Sequence, residues 1–88
     1  MPITGVVGQV KWGYYMAGAI NGYRVDRTAT GWTLAATLVV SDAFKLAQRP
    51  LTFVAPFKTG EWRWPIVELV IRDGSLSATL GKLEEVRR

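Results

Sequence analysis

Two dipeptides constrain how this chain can fold: Asn21-Gly22 and Asp73-Gly74. Asn-Gly and Asp-Gly tolerate the positive φ angles that a two-residue hairpin turn imposes. Asp73-Gly74 separates Val67–Arg72 from Ser75–Leu80, and Asn21-Gly22 separates Tyr14–Ile20 from Tyr23–Ala29. Each therefore predicts a hairpin together with its register. In the second hairpin, Val67, Leu69 and Ile71 fall opposite Leu80, Ala78 and Leu76. Glu68, Val70 and Arg72 fall opposite Thr79, Ser77 and Ser75, so an apolar face separates from a largely polar one. In the first, Tyr14, Met16, Gly18 and Ile20 face Ala29, Arg27, Val25 and Tyr23 on the expected core side, with Arg27, near its end, as the exception. Tyr15, Ala17 and Ala19 face Thr28, Asp26 and Arg24 on the expected wet side.

The rest of the chain reads the same way. A first strand runs from near Val6 to Ile20, and Gly8, Gly13 and Gly18 mark expected bends or bulges in it. Trp32–Val40 alternates with period two, placing Trp32, Leu34, Ala36, Leu38 and Val40 on one side. Ser41-Asp42 is a cap for a short helix that Pro50 would stop, with Phe44 and Ala47 turned towards the barrel. A loop or edge strand is the alternative there. Leu51–Ala55, between Pro50 and Pro56, reads as an edge or corner strand. Lys58-Thr59-Gly60 is a turn. The next strand carries a phase conflict: Trp62, Trp64 and Ile66 are even-numbered, whereas Val67, Leu69 and Ile71 are odd-numbered. Either a bulge near Pro65 turns both sets inward, or the tryptophans face away from the core.

These elements make an all-β fold: a small six-stranded barrel or roll over residues 1–81, with one short helix near residues 42–49 and a charged tail at 82–88. A helix between the third and fourth strands follows the order of an OB-like barrel. The turn-rich remainder equally suits an SH3-like one.

At 88 residues the chain has the length of one domain. A hydrophobic content of 49%, with four Trp, three Tyr and three Phe, is ample for a packed barrel. Cys and His are both absent. That excludes disulfides, thiolate metal sites, Cys nucleophiles and His general bases. The acids Asp26, Asp42, Glu61, Glu68 and Asp73 are scattered, and no phosphate-loop or dinucleotide-binding glycine motif is present. The expectation is therefore a cofactor-free binding module, not an enzyme. The first twelve residues do not have the form of a signal peptide, and no apolar run is long enough to span a membrane. A cytoplasmic location is expected.

Net charge is +4, of which residues 1–81 carry +3. Such a surface attracts anions mildly. The candidate binding residues are Lys11, Tyr15 and Arg24 on the wet side of the first hairpin, and Trp62, Arg63 and Trp64. In the leading reading, the cations meet nucleic-acid phosphates and Tyr15, Trp62 and Trp64 stack on bases with little sequence preference. The two tryptophans equally suit a structural role closing the barrel. Lys45, Arg49 and Lys58 form a further basic rim. A second reading is a protein-binding accessory or inhibitor domain, of the kind a phage or other mobile element encodes. It would act through the Trp62–Trp64 element or an exposed edge at Leu51–Ala55. A third is a symmetric homo-oligomer that uses an edge together with Val39 and Val70.

Overall fold

The computed structural model describes residues 2–88 and consists almost wholly of strands. These are β1 (Ile3–Trp12), β2 (Tyr15–Thr28), β3 (Gly31–Ser41), β4 (Leu51–Phe57), β5 (Gly60–Arg72), β6 (Ser75–Leu80) and β7 (Glu84–Arg87). One helical turn, α1 (Ala43–Leu46), stands between β3 and β4. All pairings are antiparallel. Around the sheet the order is β4-β1-β2-β3-β6-β5, and a β4–β5 pairing closes the ring; β7 adds to β5. The all-β, barrel-like expectation holds.

The first turn is not where the Asn-Gly signal put it. The chain reverses at Gly13-Tyr14, between Trp12 and its partner Tyr15. Gly13 has φ +61°, and glycine at the first central position is the requirement of a type II′ hairpin turn. Asn21-Gly22 instead lies inside the 14-residue strand β2. Gly22 has φ +62°, and pairing with β3 shifts register there. Ile20 is buried before this kink, and Tyr23 and Val25 are buried after it. The inward-facing set has changed parity, as at a bulge. The predicted first strand is thus two strands. The face assignment of the expected hairpin fails at Ala17, which is buried, and at Tyr14, Met16 and Ala29, which are exposed; Arg27, the expected exception, is exposed.

The second hairpin is as expected at its tip. Asp73 and Gly74 both have positive φ, at 51° and 77°. Arg72↔Ser75, Ile71↔Leu76 and Leu69↔Ala78 are the pairs that the turn dictates. Further down, Leu80 pairs with Ile66 and not with Val67. At the register shift between Ile66 and Glu68, Val67 is left exposed, and Ile71 is exposed too, so of the odd-numbered set only Leu69 turns inward. Trp64 and Ile66 turn into the core before the bulge, and Leu69 packs against that core after it.

Three other expectations are corrected. Leu51–Ala55 is not an edge: β4 pairs with β1 on one side and β5 on the other, and Leu51, Phe53, Val54 and Ala55 are buried. The tail is not free, because Glu84–Arg87 pairs with Gly60–Arg63 as a seventh strand. The helix is a single turn, and it buries Leu46 while Phe44 stays exposed. Its Asp42 cap is as predicted, the carboxylate accepting from the Lys45 amide.

Three buried aromatic rings, Tyr23, Phe53 and Trp64, sit in an otherwise aliphatic barrel core. Phe53 and Trp64 are cross-strand partners stacked at 5.5 Å. Tyr23 meets Phe53 edge-on at 5.3 Å, and Trp32 meets Trp64 at 5.7 Å. Val10, Ile20, Val25, Leu34, Leu76 and Leu80 complete the core.

Candidate nucleic-acid interface

Because Phe53 and Ala55 of β4 point inward, their neighbours Thr52 and Val54 must point out. Register then sets the outward neighbours. Gln9, Val54 and Arg63 form one row across β1, β4 and β5, and Lys11, Thr52 and Pro65 form the next. The chain from β6 to β7 borders this face. Gly81 donates its amide to the Pro65 carbonyl at 2.8 Å, and Glu84 pairs beside Arg63. The Gly13-Tyr14 turn closes the other side. The result is a shallow cleft of about 590 Å³, lined by Lys11, Tyr14, Arg63, Lys82, Leu83 and Glu84 over a floor of Thr52, Val54 and Pro65.

Three cations and one acid line this cleft. Lys11 and Lys82 are in no ion pair among the described residues. Arg63 is paired through its Nε with Glu61, two residues away on the same strand, and its side chain remains substantially exposed. Lys11 and Arg63 stand two strands apart, about 10 Å across the sheet. An extended anion can therefore meet both.

Tyr14 lines the cleft, and an aromatic cluster stands beside it at the β1–β2 turn. Tyr14 is 98% exposed and Tyr15 is 61% exposed. Trp12 packs against Tyr15 at 6.0 Å and against Phe44 of α1 at 6.4 Å. Lys45 lies over the Tyr15 ring at 5.4 Å, close enough for a cation–π contact, and is 3.5 Å from the Asp42 carboxylate. The backbone hydrogen bond from Lys45 holds the Asp42 carboxyl below its ordinary value of 3.8 against partial desolvation; the Lys45 charge adds to this.

The structure brings together only some of the residues singled out from sequence. Lys11 and Arg63 share the cleft, whereas Tyr15 is not among the residues that line it and packs on Trp12 instead. Arg24 does not join them. It lies eight residues along β2 from Met16, the partner of Lys11, which is about 26 Å in a strand. There it is paired with Asp26 at 2.9 Å, and this contact raises its pKa. Trp64 has no exposed surface, so it cannot offer a ring to a base. Trp62 is half-buried against Phe57 at 4.8 Å and Trp64 at 6.5 Å. Both tryptophans close and fill the barrel. The basic rim divides too: Lys45 belongs to the aromatic end, whereas Lys58 lies in the β4–β5 turn at the other end of β4.

Sequence reasoning missed Tyr14 and Lys82. Tyr14 went to the core face of a hairpin that does not exist, although Gly13 before it was the turn signal. Lys82 was counted with the tail. Leu83, its neighbour, packs against the core and fixes that segment.

Among the described residues, no three His, Cys, Asp or Glu side chains gather as a metal site would need. Among those residues, too, no helix is long and apolar enough to cross a membrane. Comparison with protein-family models, curated proteins and solved structures returns no match. The functional reading therefore rests on the geometry alone.

Proposed function

We propose that this is a weakly specific nucleic-acid-binding module whose ligand lies in the β1–β4–β5 cleft. The observation that carries the reading is the convergence of Lys11, Arg63 and Lys82 on one surface cleft of about 590 Å³, Lys11 and Lys82 being free of any ion pair among the described residues. A net charge of +4 favours the encounter with a polyanion. No helix long enough to enter a groove of duplex DNA is present among the described residues, so recognition through phosphates would carry little sequence preference.

Anisotropy with a labelled 15-nucleotide oligomer at 50 and 200 mM salt tests this. Three phosphate contacts give a slope of log affinity against log salt of about −2 to −3, or roughly a 20- to 40-fold loss over that range. Replacing Lys11 and Lys82 together by Gln should flatten the slope by about 1.4 to 1.8. Absence of binding at 50 mM, or a double variant that binds as wild type, refutes the reading.

A second reading, a protein contact, has a specific observation in its favour. Pairing of β1 with β4 stops at Gln9, so among the described residues Ile3–Val7 has one edge without a partner strand. Val6 and Val7 are exposed there, and no charge guards the segment. Strand addition would use this edge and not Leu51–Ala55, which is paired on both sides. A second copy of the chain would show as a dimer in sedimentation that Val6→Lys abolishes.

A further inference from the structure

We infer that the ligand of the cleft is a single strand, not a duplex, and that it stacks a base on Tyr14; the inference rests on the nucleic-acid reading above. In a duplex each base face is already covered by its neighbours, so an aromatic ring at the end of a phosphate-binding cleft finds nothing to cover. Unpaired bases in a single strand leave their faces open to side-chain rings.

Tyr14 is placed for that contact. It lines the same cleft as Lys11, Arg63 and Lys82, and a two-residue turn holds it at the rim. Its ring is spent on no internal packing, being 98% exposed. The neighbouring Tyr15 is held differently, against Trp12 and beneath Lys45. A strand whose phosphates follow the cations would therefore meet one aromatic ring, Tyr14, at the rim of the cleft, and would stack one base there.

The test uses three probes with the intact protein: a 15-nucleotide oligothymidylate, a duplex of the same length, and an abasic strand of the same length. Wild type should bind the oligothymidylate at least about 5-fold more tightly than the abasic strand, the lower end of one stacking contact. It should bind the duplex more weakly than the oligothymidylate. Tyr14→Ala should remove the preference over the abasic strand and leave the salt slope unchanged, because no cation is lost. Tyr14→Trp should keep the preference. Equal affinity for abasic and normal strands, or a duplex bound as tightly as the single strand, overturns the inference. If either result comes with the wild-type salt slope and its loss in the Lys11/Lys82 variant, the cleft still binds phosphates and only the stacking assignment fails. No binding of any probe sinks both.

Discussion

Trp64→Ala tests the register on which the whole barrel rests. Trp64 sits opposite Phe53, has no exposed surface, and packs near rings from two other strands, Phe53 of β4 and Trp32 of β3, and near Trp62 of its own strand. Truncating a buried Trp to Ala costs about 3–5 kcal/mol, through lost transfer free energy and the cavity left behind. A domain of this length has roughly 4–13 kcal/mol in all, so the variant should be unfolded or close to it. Trp64→Phe separates size from polarity. The indole Nε1 is buried with no hydrogen-bond partner, and a donor left in that state costs about 1–3 kcal/mol. Phenylalanine removes the donor while keeping most of the ring, so loss of packing and relief of the orphan N–H oppose each other. The Phe variant should stay within about 2 kcal/mol of wild type. Urea unfolding followed by far-ultraviolet circular dichroism reads both, and the Ala midpoint should fall by at least about 1 M. An Ala variant within about 1 kcal/mol of wild type would mean that Trp64 is not in the core and that the β4–β5 pairing is misassigned.

Two further predictions address the parts of the fold that border the cleft. Gly60→Ala would drive a methyl group into the Val86 carbonyl oxygen, with the Arg87 Cα only 3.0 Å away. Backbone cannot step aside as a flexible side chain can, so β7 should detach while the ring stays closed; amide exchange at Glu84–Arg87 should accelerate selectively, and unchanged protection would disprove the β5–β7 pairing. The Asp42 cap should make α1 sensitive to acid. Its folded pKa lies below the unfolded value of 3.8, so the unfolded state binds the proton more readily. The stabilisation is complete above that unfolded value and is lost as pH falls through the lower folded one. Tryptophan fluorescence, which senses Trp12 against Phe44, should change over that acid range in wild type, and Asp42→Ala should lack that component. Identical acid profiles would remove the cap from the account.

The two turn dipeptides show where sequence legibility ends. Both supply residues that accept positive φ, yet only Asp73-Gly74 uses both of them so. At Asn21-Gly22 glycine alone takes that conformation and the chain runs on. Local chemistry permits a turn; pairing decides whether one forms. The predicted hairpin carried its own contradiction, since its core face needed an exception at Arg27 and its wet face held Ala17. The observed register lets Val10 and Gly8 pair with Gly18 and Ile20, which buries the apolar set and leaves Arg27 over the Trp32 ring at the barrel end. At the other hairpin no such conflict existed, because the turn and the alternation of Ile71, Leu69, Leu76 and Ala78 agreed. Agreement between turn chemistry and face alternation, more than the strength of either signal, marked which hairpin was real.

The cleft was less legible than the fold for a related reason. Lys11, Arg63 and Lys82 are far apart in the chain, and they converge only because β4 pairs with β1 on one side and β5 on the other. The prolines flanking Leu51–Ala55 argued against that placement, since proline lacks the donor that a ladder needs. The structure accommodates them at the margins: Pro50 precedes β4, and Pro56 lies past Val54, the last β4 residue paired with β1. Prolines at both ends of a strand therefore limit how far it pairs without making it an edge. Here they set the length of the β1–β4 contact at three residue pairs. That short contact brings Lys11 beside Thr52 and, through Pro65, places Lys82 within the same concavity. It also ends where β1 runs on through Val7 and Val6 paired with β2 alone among the described residues, so one interruption in the ladder shapes both the cleft and the open edge.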